Sequence, residues 1–174
     1  RGRFALLLTQ ARDKNYSDET DISLINTAKM YYEESDKVRY KFLSYYYYGR
    51  ILYNKGDYTH AMIAYTQAEG LLNELNDNYL AGLLYSEIGS IYRIYYDYNK
   101  CLDAFQSAYN YYSLCALESH LAYALLDIGI AYWNIDNPKL AEAHINKALE
   151  VALNSNDEYL ERICYQNLII LYDK

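Results

Sequence analysis

Apolar residues along this chain recur three and four positions apart, in stretches closed by short polar clusters. Over 38–55, Tyr45, Tyr48, Leu52 and Tyr53 share one helical face. Lys55-Gly56-Asp57 breaks the stretch: Gly56 suits a left-handed C-terminal residue, and the Asp57 side chain can cap the next helix. That helix is predicted over 58–75, with Ala61, Tyr65, Ala68, Leu72 and Leu75 inward. The same reading gives helices over 78–95, 98–115, 118–135, 138–154 and 157–173, with Cys101, Phe105 and Ala108, then Ala141, Ile145 and Ala148, facing in. Pro138 fits a first helical turn, where no donor is needed. Residues 3–14 and 20–34 form a more diverged pair. The prediction is an all-α chain of about nine helices.

These helices repeat. Ala28, Ala68, Ala108 and Ala148 lie 40 residues apart each time, as do Gly49, Gly89 and Gly129. Tyr45, Tyr85 and Tyr165 keep the same phase, with Leu125 in the gap. Ile88, Ile128 and Leu168 repeat at this interval, and so do Tyr92, Tyr132 and Tyr172. A fixed period of this size marks a helical-repeat array. Small residues at these places let two helices approach closely, with large neighbours filling the space on either side. The expected division is one array over 1–174: a diverged or capping unit over 1–37, repeats over 38–77, 78–117 and 118–156, and the first helix of a further repeat over 157–174. Thr9 stands where the first unit would carry its glycine.

Composition sharpens this picture. The 174 residues include 7 glycines and 1 proline, too few for a sandwich or barrel built on frequent turns. The 25 tyrosines against 3 phenylalanines suit thin layers never far from water, because a tyrosine buries its ring and keeps a polar tip. A net charge of −7 weighs against nucleic acid as a partner. No apolar run reaches the roughly 20 residues of a membrane helix, so no membrane insertion is expected. Cys101, Cys115 and Cys164 are scattered, read as small buried hydrophobes, and favour a reducing, cytoplasmic compartment. The start at Arg1 reads as trimmed and leaves a periplasmic or membrane-anchored form open.

The residues Tyr45, Tyr48, Gly49, Leu52, Gly56-Asp57-Tyr58, Ala61, Tyr65 and Ala68 resemble the tetratricopeptide repeat (TPR) pattern. Gly89, Tyr92, Asp97-Tyr98, Phe105 and Ala108 repeat it, as do Gly129, Tyr132, Pro138, Ala141 and Ala148. The likeness is strongest over 42–154. The period of 40 exceeds the usual 34 and is similar to longer-helix variants in bacterial regulatory and signalling proteins. The resemblance implies an α-solenoid of antiparallel hairpins wound into a right-handed superhelix, whose concave face, lined by first helices, binds protein or peptide segments.

By phase, Tyr46, Tyr47, Arg50, Tyr53 and Asn54 on one first helix point away from the hairpin. Ser86, Glu87, Ser90 and Arg93 follow on the next, and Tyr123, Asp127, Ile130, Trp133 and Asn134 on the third. The expected peptide-binding groove is Tyr46, Arg50, Tyr53, Asn54, Ser90, Arg93, Tyr123, Ile130 and Trp133, with Trp, Tyr and Arg the types that dominate binding hot spots. In the TPR subclass that clamps a C-terminal carboxylate, the matching positions here hold Tyr46, Arg50, Glu87, Tyr123 and Asp127; only Arg50 fits. Catalysis is not expected. His60, His120 and His144 are isolated, no metal-ligand spacing occurs, no phosphate-cradling glycine loop is present, and no cofactor is called for. The function implied is a non-catalytic scaffold in a larger regulatory or assembly protein. The alternatives are a self-associating or spacer module, with Ile163, Leu168, Ile169 and Leu171 as an exposed C-terminal face for a homo-oligomer, and a ligand-sensing domain of a signalling protein.

Overall fold

Every twentieth residue from Asn76 to Asn156 takes a left-handed backbone: Asn76, Tyr96, Ala116, Asp136 and Asn156, with Gly56 at the same interval before them. A left-handed residue ends a helix by turning the chain out of the helical ladder. At the hairpin tips the next helix begins at once on a side-chain cap. Asp57 accepts from the His60 amide, Asp97 from that of Lys100, and Asn137 from that of Leu140. Asp157 caps the last helix by accepting from the Leu160 amide. The stop and the start are therefore written in adjacent residues.

In the computed structural model of the chain, which describes residues 1–15 and 19–173, the result is all-helical. Lys174, the last residue of the expected final element, lies outside the described residues. The helices are α1 (Gly2–Lys14), α2 (Ser23–Tyr32), α3 (Val38–Asn54), α4 (Tyr58–Glu69), α5 (Leu72–Leu75), α6 (Asn78–Ile94), α7 (Tyr98–Ser113), α8 (Glu118–Asn134), α9 (Pro138–Ser155) and α10 (Glu158–Tyr172). Within each unit most consecutive helices pack as neighbours. Two compact units result, one over Arg1–Asp77 and one from Asn78 onward.

Two elements differ from the sequence reading. The helix expected over 58–75 is broken at Gly70-Leu71, so ten helices stand among the described residues rather than about nine. The Gly70 amide still reaches the Thr66 carbonyl, but the Leu71 amide bonds Ala68, three residues back, and the ladder tightens and stops. The helix expected from 20 starts at Ser23, because the Asp21 carboxylate accepts from both the amide and the hydroxyl of Ser23 and holds a turn there.

In the first unit α1 and α2 pack together, α2 lies on α3, and α3 pairs with α4. Thr9 is buried where the later repeats have glycine, and its hydroxyl donates to the Ala5 carbonyl at 3.0 Å. In the second unit α6 pairs with α7 and α8 with α9, while α7 also packs on α8 and α10 on α9. The hairpins close on glycine. A Cβ at Gly49 would meet the Tyr65 ring at 2.4 Å, one at Gly89 the Phe105 ring at 2.7 Å, and one at Gly129 the Ile145 side chain at 2.7 Å. Tyr65, Phe105 and Ile145 are among the largest fully buried side chains. Each ring or branch occupies the volume that the facing glycine leaves vacant.

Candidate functional site

Two columns of side chains on the first helices decide what is presented and what is buried. The first contains Phe42, Tyr46, Gly49 and Tyr53 on α3, and it faces α4. Tyr46 is 3% exposed, with its ring 6.2 Å from that of Tyr65, and Tyr53 meets Tyr58 edge-on at 5.3 Å. Forty residues on, the column is Gly82, Ser86, Gly89 and Arg93 on α6, facing α7. Gly82 lies under the Tyr112 ring, and the Ser86 and Tyr112 hydroxyls are 3.3 Å apart. The Arg93 guanidinium sits 5.7 Å from the centre of the Phe105 ring. On α8 the column continues as Ala122, Leu126, Gly129 and the half-buried Trp133, with Ala122 and Leu126 in one core cluster with Ile145 and Ala148.

This corrects part of the sequence reading. Phase alone points Tyr46, Tyr53 and Arg93 away from their hairpins; in the structure they lie against their own second helices. Trp133 occupies the same register. The helices carry large side chains on more than one flank, so period does not separate the flank facing the hairpin partner from the one beside it.

The second column lies one flank over. On α3 it holds Arg50 and the exposed Asn54, both turned toward the chain that precedes α3: Arg50 Nε donates to Asp13 at 2.7 Å, and Asn54 Nδ2 donates to the Glu19 carbonyl at 3.3 Å. In the second unit it holds Glu87, Ser90 and Ile94 on α6, Tyr123, Asp127, Ile130 and Asn134 on α8, and Ile163, Asn167 and Ile170 on α10. Their spacings of three and four place each set on one stripe. Hydrogen bonds hold the α8 stripe to its neighbours, from the hairpin column of α6 and to the N-cap of α10. Arg93 donates to Asp127 at 3.1 Å, and the Tyr123 hydroxyl donates to Asp157 at 3.3 Å. Ile130 packs on the core cluster that α8, α9 and α10 share. Of the expected groove residues, Ser90 on α6 and Tyr123 and Ile130 on α8 hold this register in the second unit, and Arg50 and Asn54 hold it on α3 in the first.

Polar groups on this face are partly satisfied within their own helices. Ser90 donates to the Ser86 carbonyl, Asn134 to Ile130 and Asn167 to Ile163. Each Asn keeps its side-chain oxygen as an acceptor. Asn167 and Ile170 are absent from the groove expected on sequence, although they stand 40 residues after Asp127 and Ile130 and the period alone points to them.

Electrostatics single out Asp127. It retains 29% of its side-chain surface, yet surrounding protein strips enough hydration to push its carboxyl up to about 6 against the pull of Arg93, with Glu87 adding to the rise. Burial likewise pushes the Tyr123 hydroxyl up to about 12, reinforced by Asp157, and the Cys101 and Cys164 thiols to about 11. All three cysteines are free thiols. His120 sits between the rings of Tyr79 and Tyr112, and burial lowers its pKa.

No protein-family model matches the chain, and no curated protein does.

Its chemistry must therefore be read from its own side chains. Among the described residues no three His, Cys, Asp or Glu side chains gather as metal ligands, and no helix is long and apolar enough to cross a membrane. The C-terminal face expected for self-association is also corrected. Leu168 is buried, Ile163 and Leu171 pack on the cluster shared with α8 and α9, and only Ile169 of the four is exposed, at 58%. The flank of α10 equivalent to the hairpin column holds Arg162, Gln166, Ile169 and Asp173, where α8 has Ala122, Leu126, Gly129 and Trp133. That flank is largely polar.

Proposed function

We propose that this chain is a helical-repeat module of the tetratricopeptide solenoid type that binds a protein or peptide segment on the inner flank of its first helices, without catalysis, as part of a larger regulatory or assembly protein. The repeat reading is supported by left-handed turn residues at a constant interval and by glycine facing a ring or branched side chain in successive hairpins. The binding reading is carried by one observation: a half-exposed face in the second unit on which Ser90, Asn134 and Asn167 alternate with Ile94, Ile130 and Ile170. Side-chain amides there can hydrogen-bond an extended backbone, while the isoleucines offer apolar contact between them. The Arg93–Asp127 pair adds charge at the edge of this face.

A peptide-display selection against the chain tests this. Peptides recovered on wild type are expected to lose at least about tenfold in affinity, about 1.4 kcal/mol, on Ser90→Arg combined with Asn134→Ala, with circular dichroism unchanged. Peptides that bind this variant as tightly as wild type would move recognition to another surface and favour a spacer or scaffold role.

A further inference from the structure

Within the second unit, one hairpin has a ring pair that the next lacks. On α6 and α7, Tyr85 stacks on Tyr111 with centroids 5.6 Å apart and planes inclined by 9°. Forty residues on, the same two positions are Leu125 on α8 and Val151 on α9. Both replacements reduce side-chain volume at one spot. A cleft of about 320 Å³ opens there, with Leu125 and Val151 in its wall beside Leu121 and Tyr109. An apolar cavity of about 150 Å³ is enough to hold benzene, so this cleft has room for one ring and a short tail.

Its rim is polar and acceptor-rich. Glu118, Asn154 and Ser155 complete the lining, and Glu118 is the charged member. The Ser155 hydroxyl donates to the Val151 carbonyl at 2.8 Å, which leaves its oxygen lone pairs as acceptors. A ring-sized apolar slot edged by a carboxylate and hydrogen-bond acceptors suits an aromatic group that carries a cation.

We propose that this cleft binds an aromatic ring bearing an amine, with the ring seated between Leu125 and Val151 where the preceding hairpin has its tyrosine pair, and the ammonium directed to Glu118. Two sources supply that chemistry: a free arylalkylamine, and an aromatic residue at the N-terminus of a partner peptide. The site is separate from the inner face of the first helices and stands or falls independently of it.

The probe is tyramine, titrated into the full chain with methyl-labelled Leu and Val. Saturable shifts are expected at Leu121, Leu125 and Val151, and p-cresol, which has the ring without the amine, should bind about tenfold more weakly, the scale of one charge-assisted hydrogen bond. Glu118→Gln should bring the two ligands to similar affinity. Leu125→Tyr with Val151→Tyr rebuilds the pair seen at 85 and 111 and should abolish binding; if that variant fails to fold, Val151→Phe alone serves. Shifts that fall elsewhere, no shifts at millimolar tyramine, or a filled variant that binds like wild type would overturn the proposal. A peptide beginning with tyrosine that binds more tightly than tyramine assigns the site to a partner's N-terminus, and weaker binding assigns it to a free amine.

Discussion

Glycine at 89 is set by contact rather than by backbone conformation. It sits inside a helix, and the added methyl of an alanine would press on the buried Phe105 ring from 2.7 Å. Alanine has the better helix propensity by about 1 kcal/mol, yet overpacking a core costs about 1–3 kcal/mol. Gly89→Ala is therefore expected to destabilise the fold by about 1 kcal/mol net, read from urea unfolding; a gain in stability would show that the ring has room to move. At Asp127 the expected effect is pH-dependent. Its folded pKa of about 6 lies above the ordinary 3.8, so the folded state holds this proton more tightly than the unfolded chain. The stability it contributes is full below the unfolded value and is lost as pH rises through 6. Wild type should therefore gain thermal stability between pH 7 and pH 5 relative to Asp127→Asn. Asp57 and Asp97, whose carboxyls their capped partners hold below the usual range, act in the opposite sense but only at lower pH. A wild type that loses ground to Asp127→Asn in that window would contradict the assignment.

At the scale of elements, helix ends are the most legible feature. Gly56-Asp57, Asp97 and Asn137-Pro138 state a stop and a start in residue types with a single local use, and the structure places them so. Helix flanks are less legible. A first helix has its hairpin partner on one side and neighbouring helices on others, so a 3.6-residue period marks apolar positions without saying which neighbour each one meets. That is why Tyr46, Tyr53 and Arg93 read as groove in the sequence and lie on the hairpin side, and why Ile163, Leu168, Ile169 and Leu171 read as one exposed face. Their separation in α10 is measurable. Leu168→Ala is expected to cost about 2–3 kcal/mol as a buried truncation, whereas Ile169→Ser, on the polar flank, should stay within about 0.5 kcal/mol. Equal costs at the two positions would mean that the Ile169 flank is also covered.

For the whole molecule, the repeat is legible because five columns of residues agree on one interval, and that interval returns in the structure as glycine contacts, with left-handed turns at half of it. The proposed binding face is only half legible. Ser90, Tyr123 and Ile130 belong to the groove expected on sequence, while Asn167 and Ile170 do not, although they stand one period after Asp127 and Ile130. A face built from serine, asparagine and isoleucine has no local signature comparable to a cap or a glycine contact, so it is read from register between repeats rather than from residue type. Amide chemical-shift mapping of the chain with a selected peptide tests the proposed recognition of a protein segment by this flank. Shifts concentrated at Ser90, Ile94, Ile130, Asn134, Asn167 and Ile170 are the predicted result. Shifts confined to the second helices α7 and α9, or to the exposed flank of α10, would contradict it.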